Sequence, residues 1–291
     1  MNYMIQLGGK RLRPVTTLLA TQLFSGEISR AIPAAKAIEV FHNFTLIHDD
    51  IMDKAPLRRG KQTVHEKWND NIAILSGDTL LIEVYNHFLE GNYSNLSEIL
   101  KVFNRTAIEV CEGQQLDMNF ETRNDVTIEE YINMIRLKTS VLVGGAFKIG
   151  ALVANANELD SNLIYEFGVN LGIAFQLQDD YLDCFGDPQK FGKQVGGDII
   201  SNKKTFMMLK ALEIDSTGEL RNRISEKEFD SQEKVDSVKE LYKKLKVDQK
   251  AFELMNQYYA KGIQSLNQIQ SLDDAKNKII RFAEDLMKRS S

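Results

Sequence analysis

Apolar residues recur along this chain at intervals of three and four, the period of helices that bury one face, and hardly anywhere alternate as a half-buried strand would. Val40, Phe41, Phe44, Ile47 and Ile51 form one such stripe and predict a helix from about Ile32 to Met52; Ile173, Leu177 and Leu182 mark another. The stretch from Asn71 to Leu89 is apolar all round, which suits a central or subunit-interface helix, and Gly77 there allows a close neighbour. Beyond about Ser216 the chain turns rich in Lys, Glu and Gln, and Val235, Val238, Leu241, Leu245 and then Phe252, Met255, Tyr259, Ile263, Leu266 predict peripheral helices. Four prolines leave long uninterrupted runs, so the predicted class is all-α. The 291 residues, 43% hydrophobic, read as one large domain spanning 1–291.

Two of these stripes border acid. Asp49, Asp50 and Asp53 in DDIMD, and Asp179, Asp180 and Asp183 in DDYLD, each place their outer carboxylates four residues apart, one above the other on a helix. Each like-charged pair at that spacing costs a few tenths of a kcal/mol even when exposed. A cation relieves the repulsion, and hard oxygen ligands suit Mg²⁺, which bridges carboxylates to substrate phosphates. Solvated helix faces or caps are the plainer alternative. Two copies, accompanied by basic segments, favour a metal-diphosphate site.

Those basic segments come in order. Gly8 and Gly9 permit a tight turn that delivers Lys10 and Arg13 ahead of a helix begun near Pro14. After the first acidic motif, a loop punctuated by Pro56 and Gly60 carries Arg58 and Arg59, whose planar forks suit phosphate oxygens. His42 lies seven residues before Asp49, two turns away on the same face. Lys138-Thr139 lies mid-helix, and the glycine-rich segment from Gly186 to Gly197, with Lys193 and the later Lys203, matches no nucleotide loop and reads as a lid. Net charge is −5, which argues against nucleic acid as a partner. Cys111 and Cys184 have no zinc or disulfide spacing and read as core packing in a reducing cytoplasm. The longest apolar stretch, Val141 to Ala156, is too short to span a bilayer.

GGKRLRP, DDIMD followed by LRRG, GQQLD, Lys138-Thr139, FQLQDDYLD and GKQVGGDIISNKKT together resemble the trans-isoprenyl diphosphate synthases, in that family's order and over nearly the whole chain. Only seven residues precede Gly8, where members of the family usually carry a further helix. The resemblance implies a helical bundle with a central cavity, a homodimer, and head-to-tail condensation of isopentenyl diphosphate with an allylic diphosphate. It implies Asp49, Asp53, Asp117 and Asp179 as ligands of three Mg²⁺, with Asp50, Asp180 and Asp183 supporting them. It assigns Arg58, Lys138, Thr139, Gln176, Lys193 and Lys203 to the allylic diphosphate, and Lys10, Arg13, His42 and Arg59 to isopentenyl diphosphate.

Phe44 and Thr45 lie five and four residues before Asp49, about one turn along the helix. Phe44 reads equally as ordinary core and, by resemblance, as the floor that stops growth at C20 geranylgeranyl diphosphate, with C15 farnesyl diphosphate next. A catalytically silent regulatory subunit is opposed by the intact acidic motifs and Arg58. A class I terpene cyclase is opposed by the second DDxxD and the extra basic site. A Ca²⁺-binding module is opposed by the lack of a glycine-punctuated EF-hand loop.

Overall fold

The computed structural model describes residues 2–187, 195–226, 230–271 and 273–288. Among these the chain is helical apart from one short hairpin, and it resolves into two compact units interleaved along the sequence: 1–107, 142–165 and 269–276 in one, 108–141, 166–268 and 277–291 in the other.

The first unit opens with a short helix, α1 (Asn2–Gln6), followed by α2 (Leu12–Leu23) and the long α3 (Ile28–Met52), which packs against α2 and most extensively against α5 (Asp70–Glu90). α3 begins four residues earlier than the stripe predicts and contains Pro33. Proline breaks the backbone ladder, and here Tyr93 mends it: its hydroxyl accepts from the Ala34 amide at 3.1 Å and donates to the Arg30 carbonyl at 2.9 Å, inserting into the gap. Between α3 and α5 run β1 (Leu57–Arg58), β2 (Lys61–Gln62) and one helical turn, α4 (Val64–Lys67); Arg59 and Gly60 close the hairpin, both at positive φ as a two-residue turn of this kind requires. On α5, Gly77 makes room for His48 of α3: a Cβ there would meet the imidazole at 2.3 Å. Ile72, Leu75, Ile82 and Leu89 of α5 are exposed, so α5 is apolar all round without being buried all round.

The chain enters the second unit within α6 (Leu96–Thr122), continues through α7 (Ile128–Ile135) and a single π-helical turn (Arg136–Ser140), leaves it along α8 (Val141–Val153), and returns within α9 (Glu158–Phe185). α7 starts with a reciprocal Thr127–Glu130 capping box. The π turn is where Lys138 and Thr139 lie, so their segment is not the regular helix the sequence suggests. Wide turns of this kind concentrate at functional sites, and two glycines accommodate this one: a Cβ on Gly113 of α6 would meet the Lys138 backbone nitrogen at 2.2 Å, and one on Gly172 of α9 the Ser140 Cα at 2.7 Å. Cys184 is buried as expected; Cys111 is exposed, because its position on α6 falls outside the buried stripe.

Candidate active site

In the first unit the predicted basic residues do converge. Arg13 lies 3.2 Å from Nε2 of His42. A guanidinium can only donate, so Nε2 accepts and the imidazole is the neutral Nδ1–H tautomer. Burial pushes the His42 pKa well below its ordinary value, and the charges of Arg13, Arg59, Arg58 and Arg11 push it further. Arg13 itself is lowered to about 10 by burial, against the pull of Glu39, and its Nε is buried with no hydrogen-bond partner among the described residues. Arg59 donates to the Gly8 carbonyl and lies over Gly9, where any Cβ would strike the guanidinium. Arg11 pairs with Glu39. Lys10 is exposed on the same glycine turn. Several guanidinium groups facing one neutral imidazole, with Glu39 the carboxylate paired among them, form a receptor for a multiply charged anion.

The acidic motif stands on the same helix. Asp50 is 1% exposed, and Nε of Arg58 donates to its Oδ1 at 2.8 Å while Nη2 reaches Asp49 at 3.5 Å. Burial raises the Asp50 pKa, and Arg58 opposes that rise without cancelling it. Asp53 caps the C-terminus of α3 and is exposed. Phe44 is 8% exposed, its ring centroid 4.7 Å from that of His48 and 5.6 Å from that of Phe41, and Thr45 donates to the His42 carbonyl at 2.9 Å.

The second unit gathers the remaining predicted residues. Lys138 Nζ lies 2.5 Å from Asp117, so a proposed phosphate ligand and a proposed metal ligand form a pair with each other. Thr139 donates to Gln176 Oε1 at 3.3 Å; Gln176 Nε2 donates to Asp180 Oδ1 at 3.2 Å; and the buried Tyr131 hydroxyl donates to Asp180 Oδ2. Burial and the nearby Asp198 raise the Asp180 pKa to about 7, with Tyr131, Lys203 and Gln176 pulling the other way. Asp179 is half-buried. Asp183 accepts from the Asp198 amide at 3.0 Å and so supports the turn that leads to Lys203, whose own amide donates to the Asp198 carbonyl at 2.9 Å. The neighbouring Lys204 is directed elsewhere, to the Glu121 carbonyl at the C-terminus of α6. Lys193 lies outside the described residues.

The sequence alone assigns no role to Tyr131, which lies outside the quoted motifs, or to Asp198, which lies within GKQVGGDIISNKKT. Tyr131 is seven residues before Lys138, the same spacing as His42 to Asp49, and that is the signal that could have found it. Among the described residues no three His, Cys, Asp or Glu side chains stand ready as a metal cage. That is compatible with Mg²⁺, which uses one or two carboxylates together with water and substrate phosphates. The donors are hard oxygens, and Asp50 Oδ2 is buried with no hydrogen-bond partner among the described residues, an acceptor suited to metal-bound water. The residues fit the ion.

The polyprenyl synthetase family profile matches residues 1–245. The geranylgeranyl diphosphate synthase of Sulfolobus acidocaldarius is 41% identical over 282 residues, covering 94% of this chain and 85% of that protein. The geranylfarnesyl diphosphate synthase of Aeropyrum pernix is 42% identical over 217 residues, covering 72% of this chain and 68% of that protein. A crystal structure of a geranylgeranyl pyrophosphate synthase matches with a TM-score of 0.96 at 46% identity, covering 100% of this chain and 90% of that one. Among the described residues no helix is long and apolar enough to cross a membrane. The chain belongs to the polyprenyl synthetase family and is a trans-prenyltransferase.

Proposed function

We propose that the chain elongates allylic diphosphates with isopentenyl diphosphate as a single-domain enzyme and releases C20 geranylgeranyl diphosphate as its main product. The observation that carries this reading is the cluster of Arg13, Arg59 and neutral His42 on the helix that also presents Asp49 and Asp50. A hydrolase or cyclase acting on one diphosphate has no need of that separate anion receptor. Lys10, Arg13, His42 and Arg59 hold isopentenyl diphosphate. Arg58, Lys138, Lys193 and Lys203 hold the allylic diphosphate. Asp49, Asp53, Asp117 and Asp179 would hold Mg²⁺, three ions by resemblance to the family, which would neutralise diphosphate charge and improve the leaving group.

The Thr139 hydroxyl donates to the Gln176 carbonyl oxygen, and the lone pairs left on the two oxygens would stabilise positive charge at the allylic carbon as its bond to oxygen breaks. The double bond of isopentenyl diphosphate attacks that carbon, and one proton leaves to the released diphosphate. Phe44, wedged between Phe41 and His48, supports a rigid stop for the growing tail. The exposed Ile72, Leu75, Ile82 and Leu89 of α5 support a second copy of the chain as the partner that covers them.

Incubation with Mg²⁺, isopentenyl diphosphate and the C5, C10 or C15 allylic diphosphate, with the products sized by mass spectrometry, tests the reading. Turnover is expected to vanish with a chelator and return with Mg²⁺. Phe44→Ala is expected to shift products beyond C20; products no longer than those of the unaltered protein would remove Phe44 as the stop.

A further inference from the structure

We infer that Tyr131, which lies outside every motif of the sequence, is a positioning residue for turnover, and that it acts through Asp180 to fix the orientation of the Gln176 amide. The geometry is a chain of four groups inside the second unit. Tyr131 is 2% exposed and its hydroxyl donates to Asp180 Oδ2. That contact fixes the carboxylate so that its other oxygen, Oδ1, accepts from Gln176 Nε2 at 3.2 Å. With its nitrogen committed there, the amide turns Oε1 to the Thr139 hydroxyl at 3.3 Å. Neither end of an amide is chemically distinguishable by shape alone, so the carboxylate decides which end is which. The phenol decides how the carboxylate sits. Without Tyr131 the carboxylate rotates, the amide is free to flip, and a flipped amide presents N–H dipoles where the reaction develops positive charge.

The inference rests on the prenyltransferase reading and refines it. Its test is steady-state kinetics of Tyr131→Phe, Gln176→Leu and the double variant, with Mg²⁺ and saturating allylic diphosphate. Tyr131→Phe is expected to lose kcat by roughly 10–100-fold, the range for groups one step removed from a site. The KM for isopentenyl diphosphate, which the Arg13 and His42 cluster governs, should stay within about twofold, because uniform binding is untouched. The double variant should be no slower than Gln176→Leu alone, since both act on one amide. Wild-type kcat in Tyr131→Phe, or losses that multiply in the double variant, would overturn the inference. If Tyr131→Phe does not fold, Asp180→Asn interrupts the same chain without leaving a buried charge unpaired, and wild-type kcat there would overturn it equally. Failure of the unaltered protein to elongate any starter would instead count against the prenyltransferase reading.

Discussion

Asp50 and Asp180 hold the same place, the middle aspartate, in two copies of one motif, and both are buried, at 1% and 5% exposure. They are compensated in different ways. Asp50 has a cation: Arg58 donates to it from Nε and Nη2. Asp180 has neutral donors, the Tyr131 phenol and the Gln176 amide, with Lys203 acting as a more distant charge. The consequence is electrostatic. The first unit is organised by full charges in pairs, and around His42 it carries surplus positive charge for an anionic substrate. In the second, burial and the nearby Asp198 raise Asp180 to about 7, against the pull of Tyr131, Lys203 and Gln176. A carboxylate group left that way favours a divalent cation as its counter-charge.

Removing the cation from the first site should have the largest effect. Arg58→Met leaves the buried Asp50 carboxylate uncompensated, and breaking a buried pair by deleting one partner costs about 3–5 kcal/mol; Arg58 is partly exposed, so the lower end is expected. Urea unfolding of the variant checks this, and adding Asp50→Asn should recover most of the loss. A change under about 1 kcal/mol would mean that Arg58 is a surface pair of ordinary value.

Gly113→Ala sharpens the comparison from the second unit. The new methyl must displace the Lys138 backbone, which overpacking makes cost about 1–3 kcal/mol. It should also lower turnover disproportionately, because it moves the turn that carries Lys138 and Thr139. Thermal unfolding together with kcat measures both, and an alanine variant with full activity would dissociate the π turn from catalysis.

The smallest effect is a pH slope. An imidazole whose pKa falls on folding contributes stability that is present above about pH 6.5, the ordinary histidine value, and is lost as pH falls towards its folded value. Relative to His42→Gln, the unaltered protein should therefore lose stability as pH falls from about 7.5 to about 5.5. Parallel stability curves would show that His42 is not held neutral.

Much of this was legible in the sequence because it depends on period and spacing. The helical class follows from the 3.6 period, and the seven residues from His42 to Asp49 put both on one side of α3. What was not legible depends on partners distant in sequence. Pro33 argues for a later helix start, and only Tyr93, far along the chain, explains why the helix continues through it. The π turn at Lys138 needs Gly113 and Gly172 opposite it, glycines that by themselves read as breaks in helical stripes. Tyr131 sits on a strongly amphipathic helix beside Met134 and Ile135, where an aromatic reads as core. Its hydroxyl acquires meaning only from Asp180, 49 residues away. Cys111 reads as buried because a lone cysteine usually is; its place on α6 leaves it exposed.

The most direct test of the prenyltransferase reading is to supply the purified protein with Mg²⁺, isopentenyl diphosphate and the C15 allylic diphosphate, and to size the dephosphorylated product by mass spectrometry. A dominant C20 alcohol is the predicted result. A folded protein that returns the C15 starter unchanged, and elongates neither the C5 nor the C10 starter, would contradict it.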